Sequence, residues 1–261
     1  MMMKKLTLIM SAAAAMLLAV SCGPSDANSY DENKVDSQLT DKNFVLTNAD
    51  YTATPKETKA GADDLSFDII ASMLSDVLGS ITRYNVAIQI GADASFDFSY
   101  QMPLVTDMPA SFDFAEFCGA YSGETVAAAE LKIFTDNGKV YFGVGKSFAD
   151  KVYAGLKTEF NLTPTFKEIV DGMPVLVDTG NYYAVQTPYT VSGNTLTFSV
   201  NKNDIVTIMT SVGYIVELTA DKEDVEYVQW KNSEAMVKNI LDSTTEFGLT
   251  FTFQAQTVSV N

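Results

Sequence analysis

The sequence predicts an α+β fold: one domain built mainly on an antiparallel sheet, packed as a sandwich or curled into a half-barrel, with an N-terminal amphipathic helix and several short helices. Three observations lead there. Apolar and polar residues alternate with period two over run after run, as in strands with one buried face. Two junctions between such runs, Asn137-Gly138 and Gly193-Asn194, carry hairpin turn chemistry, and a hairpin joins antiparallel neighbours. The helical stretches fall irregularly among the strands, without the strand-helix-strand rhythm that a parallel sheet requires.

In chain order, the opening residues read as an export signal. Lys4 and Lys5 precede an apolar run from Leu6 to Val20, and small residues lead into Cys22. The run of about 15 residues falls short of the roughly 20 that a membrane-crossing helix needs. Ala19, Val20, Ser21 and Cys22 resemble the lipobox of bacterial lipoproteins, departing from it in having Ala19 where leucine is commonest and Leu18 one place earlier. The resemblance implies that residues 1–21 are a cleaved signal peptide. It also implies that Cys22 carries a diacylglyceryl group as the new N-terminus.

Residues 22–62 read as a lipidated flexible tether. They are polar and lack apolar periodicity, so they bury too little surface to repay ordering, although Phe44, Val45 and Leu46 alternatively form a short strand on the domain. Acids soon after the cysteine, among them Asp26, Asp31 and Glu32, resemble the surface-export signal of some Bacteroidota lipoproteins. The folded domain is expected over 63–261.

A first helix is expected over 63–78. Leu65, Ile69, Ile70, Met73, Leu74, Val77 and Leu78 recur at helical spacing, Asp63, Asp64 and Asp68 sit where the helix dipole favours acids, and Gly79 stops it. Val86, Ile88 and Ile90 share one face of a strand; Phe96, Phe98 and Tyr100 share one face of the next. The string Ala-Ser-Phe-Asp-Phe at 94–98 returns at 110–114, either as a duplication or as two strands converging on one pattern. The clearest hairpin spans 130–145, with Leu131 and Ile133 before the turn and Val140, Phe142 and Val144 after it. Ser147 with Asp150 resembles a capping box ahead of Val152 and Leu156, and Thr163-Pro164 starts a short helix that Gly172 ends. Residues 175–177 read as a strand, 178–181 as a turn, and Leu196, Phe198 and Val200 as a strand beyond the second hairpin. Residues 204–212 fit helix or strand, and 214–218 read as extended. Met236, Val237, Ile240 and Leu241 mark a last helix, and Leu249, Phe251, Phe253 and Ala255 a last strand.

Charge and composition exclude whole classes of function. The full chain has 17 basic and 33 acidic residues; loss of Lys4 and Lys5 with the signal leaves a net charge of −18. A body so acidic repels phosphate backbones and anionic head groups, so neither nucleic acid nor a charge-held membrane is an expected partner. With no histidine anywhere, Ser-His-Asp and Cys-His arrangements and His-based zinc sites are excluded. Once Cys22 carries lipid, Cys118 has no disulfide partner and reads as a small buried hydrophobe. Turn residues Asp136, Asn137, Asp178 and Asn181 lack calcium-loop spacing and no Gly-rich phosphate loop is present, so no metal or cofactor is expected.

What remains is binding. An amphipathic helix, a series of aromatic-rich antiparallel strands and helices across them resemble, in element order, the lipocalin-like and LolA-like envelope proteins. That resemblance implies a curved sheet around a hydrophobic ligand. Curled, the sheet would present Phe96, Phe98, Phe142, Phe198, Phe251 and Phe253 to a cavity; packed flat, the same rings are core. Tyr182, Tyr183, Tyr189 and Trp230 offer a stacking platform for a glycan. The expected protein is a noncatalytic cell-envelope lipoprotein held in the outer membrane by its N-terminal lipid, on either face, binding a small apolar or glycan ligand. The alternative is a structural subunit of a surface assembly with partner proteins. The third reading is a hydrolase using a carboxylate pair such as Asp63/Asp64, Asp93/Asp97 or Glu223/Asp224.

Overall fold

Turn geometry and alternation together lay down a single antiparallel sheet, here in a computed structural model that describes residues 30–56, 72, 74–76, 78–101, 111–220, 222–223 and 225–256. The strands are β1 (Lys42–Pro55), β2 (Ala87–Ile90), β3 (Phe96–Gln101), β4 (Ser111–Asp113), β5 (Leu131–Asp136), β6 (Lys139–Gly145), β7 (Leu176–Asp178), β8 (Tyr182–Ser192), β9 (Thr195–Asn201) and β10 (Thr244–Gln256). Their order is β4-β3-β2-β1-β10-β9-β8-β6-β5, with β7 on β8. In the β5–β6 hairpin Asn137 and Gly138 both adopt positive φ, 49° and 74°, as a type I′ turn demands. β8 is long enough to pair β9 with its last residues and β7 with its first.

The sheet is open, yet it curls far enough for its margins to meet at one end. Ser95, the residue before β3, bridges Lys132 of β5, and the Ile133 N–H donates to the Ala94 carbonyl at 2.9 Å. Rings close the interior across this curl. Phe96 of β3 meets Phe142 of β6 edge-on at 5.3 Å, Phe142 meets Phe198 at 6.1 Å, and Phe198 meets Phe253 at 5.4 Å.

Helices cover the same face: α1 (Phe114–Ser122), α2 (Lys146–Phe160), α3 (Phe166–Asp171), α4 (Lys202–Thr219) and α5 (Val225–Ser243). Among the described residues no helix is long and apolar enough to cross a membrane. The first helix expected from the sequence is helical at Ser72, Leu74–Asp76 and Leu78–Ile81, with Leu78 buried; its earlier residues lie outside the described ones.

Four local expectations change. Residues 42–55, assigned by composition to the tether, form β1, which pairs along nearly its whole length with β10 at the centre of the sheet. The stretch before it is held by polar contacts that hydropathy does not register. The Glu32 carboxylate accepts from Thr179 Oγ1 at 2.7 Å and from Asn181 N and Nδ2 at 3.0 and 2.7 Å, and the Lys34 carbonyl accepts from Thr135 N at 2.7 Å. The remaining tether residues, 22–29 and 57–62, lie outside the described residues.

Residues 214–218 are helical, not extended. They belong to α4, whose buried Ile205, Ile208, Val212 and Val216 keep helical spacing and whose start is a capping box of Asn201 with Asp204. α2 runs straight out of β6 with Gly145 as N-cap, so Ser147 and Asp150 form no capping box there. For α3 the cap is Thr165, boxed with Glu168, two residues beyond the expected Thr163. The repeated Ala-Ser-Phe-Asp-Phe string does contribute to two paired strands of one sheet, β3 and β4, although in its second copy Asp113 ends β4 and caps α1.

Candidate functional site

The helical layer does not sit flush on the sheet. Between α1, α2, α3, α4 and the β6–β8 side lies a cavity, partly open to solvent, of about 260 Å³ whose surface is almost wholly carbon. α2 turns one stripe into it, Ala149, Val152, Tyr153, Leu156 and Phe160, at spacings of three and four residues. α4 does the same with Ile208, Val212, Ile215 and Leu218, while Phe117 and Cys118 close the α1 side and Val144 and Tyr183 the sheet side.

Three polar side chains on this wall are already engaged. Ser211 donates to the Thr207 carbonyl at 3.0 Å and accepts from Val175 N at 3.1 Å; Thr219 donates to the Ile215 carbonyl at 2.8 Å. The Tyr153 hydroxyl donates to the Pro164 carbonyl at 2.7 Å. Burial, helped by the charges of Asp97 and Asp113, pushes the Cys118 thiol up to about 12, so no thiolate nucleophile exists at neutral pH. The wall can hold an apolar molecule.

Of the nine ligand-facing residues expected from the sequence, Tyr183 lines this cavity. Phe96, Phe98, Phe142, Phe198, Phe251 and Phe253 are buried in the main core, where those of the cross-sheet ring series pack against each other. Tyr182 points to the opposite face, as the residue next to Tyr183 in a strand must. There it joins Phe134, Tyr141 and Tyr30 in a separate cluster and donates to the Ala129 carbonyl at 3.1 Å. Trp230 is buried on α5, its indole N–H without a partner among the described residues. Tyr189 donates to Asp36 at 3.1 Å. These four aromatics therefore form no common platform.

The α2 stripe was partly readable: Val152 and Leu156 stand out in the sequence, and Ala149, Tyr153 and Phe160 continue their spacing. The α4 wall was hidden because 214–218 read as a strand.

Carboxylates pair elsewhere than expected. Asp97 faces Asp113 across β3 and β4, not Asp93, whose charge is stabilised by the Ser95 hydroxyl at 2.6 Å. Burial lifts Asp97 from an ordinary 3.8 to about 6, and the neighbouring Asp113 adds to the lift. Its Oδ1 accepts from Phe98 N at 2.8 Å and Ala115 N at 2.9 Å, while Asp113 accepts from Glu116 N at 2.7 Å. Both acids are thus occupied in seating α1. Asp63, Asp64 and Asp224 lie outside the described residues, and Glu223 is exposed. Among the described residues no group of three or more Cys, Asp or Glu is placed to hold a metal ion. Cys22, the expected lipid site, lies outside them as well.

Compared with protein-family models, curated proteins and solved structures, the chain matches none.

Proposed function

We propose that this chain is a noncatalytic, lipid-anchored cell-envelope protein that holds one small apolar molecule between its helical layer and its sheet. The carbon-walled cavity of about 260 Å³ carries the reading. An apolar cavity of about 150 Å³ with similar walls stays dry and takes up benzene, so by that scale this one accepts roughly ten carbon atoms. A two-chain lipid is too large for it. The glycan version has less behind it, since the aromatics it calls on lie on different faces. Export and outer-membrane attachment through Cys22 rest on the lipobox resemblance.

The test is calorimetric titration of the chain lacking its first 22 residues with 1-decanol. At about 0.8 kcal/mol per buried methylene the chain gains roughly 8 kcal/mol, and after about 4 kcal/mol for immobilising the ligand one site with a Kd in the high-micromolar to millimolar range is expected. Ala149→Phe, which fills the cavity from α2, should abolish the heat of binding while leaving the melting temperature at or above that of the parent. No binding by the parent, or equal binding by the filled variant, would refute the proposal.

A further inference from the structure

One stretch of chain beside the cavity carries a cation. The Pro164 carbonyl, in the loop between the wall residues Leu162 and Phe166, accepts two hydrogen bonds: from Tyr153 Oη at 2.7 Å and from Lys157 Nζ at 2.8 Å. The shared acceptor brings the Lys157 ammonium to within about 5.5 Å of a hydroxyl that belongs to the cavity wall. Lys157 is half-buried, and its flanking wall residues Leu156 and Phe160 lie on the same helix.

Its partners are backbone carbonyls, Pro164 and, at 3.4 Å, Thr163. No carboxylate pairs with it among the described residues, unlike Lys146, Lys151 and Lys167 nearby, which pair with Asp178, Glu124 and Asp171. Glu168, an acid that feels its charge, is engaged by Thr165 N at 2.6 Å and Thr165 Oγ1 at 2.7 Å. An ammonium has three donors, and one remains for a ligand.

Resting on the cavity reading, we infer that the occupant is a single-chain amphiphile with an anionic head, of the medium-chain fatty-acid class. Its chain fills the space between α2 and α4, and its carboxylate lies at the Lys157–Tyr153 end. A cation beside the carbon-lined wall, sharing an acceptor with the wall residue Tyr153 and without a carboxylate partner among the described residues, is the complement of such a molecule. A hydrogen bond to a charged group makes the interaction selective for the anion over an alcohol of equal length.

The experiment compares decanoate with 1-decanol at neutral pH on the chain lacking its first 22 residues and on its Lys157→Met and Lys157→Arg variants. The parent should bind decanoate at least about tenfold more tightly than decanol. Lys157→Met, which keeps the apolar stem, should remove that preference and leave decanol affinity within about twofold; Lys157→Arg should restore most of the preference. Equal affinity of the parent for both compounds overturns the inference and leaves the cavity reading standing. So does an equal loss of both in Lys157→Met, because a lysine that merely staples the 161–165 loop would act on any occupant. If neither compound binds, the cavity reading fails and the inference with it.

Discussion

At the scale of single residues, Asp97 is the group with the clearest physical signature. Burial and the facing Asp113 raise its carboxyl to about 6 from an ordinary 3.8, so the folded state binds the proton more tightly than the unfolded chain. Its contribution is therefore fully present below about pH 4. It declines as the pH rises between the two values and is gone above about pH 6. Asp97→Asn keeps an oxygen to accept from Phe98 and Ala115 and carries no charge to lose. Urea titrations across this range should show a stability decline in the parent that the variant lacks. At neutral pH the variant should be more stable by about 1 kcal/mol, a figure discounted because the group is partly solvent-screened. An unchanged slope in the variant would show that Asp97 binds its proton equally well in the folded and unfolded chain.

At the scale of elements, the close seating of α1 on α2 governs the cavity. A Cβ at Gly155 would lie 2.0 Å from the Tyr121 carbonyl oxygen and 2.8 Å from its carbon. Both are backbone atoms that cannot swing aside. Gly155→Ala should therefore cost about 2 kcal/mol despite alanine's better helix propensity. Because Cys118 and Leu156 sit on the two displaced helices, it should also weaken decanol binding. Gly79→Ala, in a helical stretch with nothing near the added carbon, is the control and should be neutral or stabilising by up to about 1 kcal/mol. Thermal melts of the two variants decide the matter.

What the sequence made legible at this scale follows from how local the signal is. The β5–β6 hairpin was readable because Asn137-Gly138 and the alternation around it are contained in 15 residues or so. β1 was legible only at Phe44–Leu46, because its partner β10 lies some 200 residues away and the rest of its composition is polar, with only Phe44 and Leu46 fully buried. Tyr214, Ile215 and Val216 looked extended because β-branched and aromatic residues favour strands. The buried stripe from Ile205 to Val216 and the Asn201–Asp204 box override that preference. The candidate site was the least legible part. It is assembled from four helices and the sheet side, and no single segment carries a pattern that distinguishes a cavity wall from core.

At the scale of the whole molecule, the ordering of residues 30–56 changes how the proposed anchor works. Tyr30 packs edge-on against Tyr141 on the outer side of the sheet at 5.4 Å. From Cys22 to Tyr30 the chain reaches at most roughly 29 Å, at about 3.6 Å per residue. An acylated Cys22 would therefore hold the domain near the bilayer with the Tyr30 side toward it, not at the end of a forty-residue leash. Cys22→Ala should abolish incorporation of a fatty-acid analogue and release the protein from the membrane fraction; labelling that persists would remove the anchor from the account.

The packed interior gives the cavity its significance. The sheet's rings fill the inside of the curl, and the unfilled volume lies where the helices stand off it. The most direct test of the central claim is the electron density of the chain crystallised with 10-bromo-1-decanol, whose bromine marks its position by anomalous scattering. A bromine peak between α2 and α4, in contact with the Val152 or Val212 side chain, is the predicted result. A cavity occupied by ordered water, with bromine only at the protein surface, would contradict it.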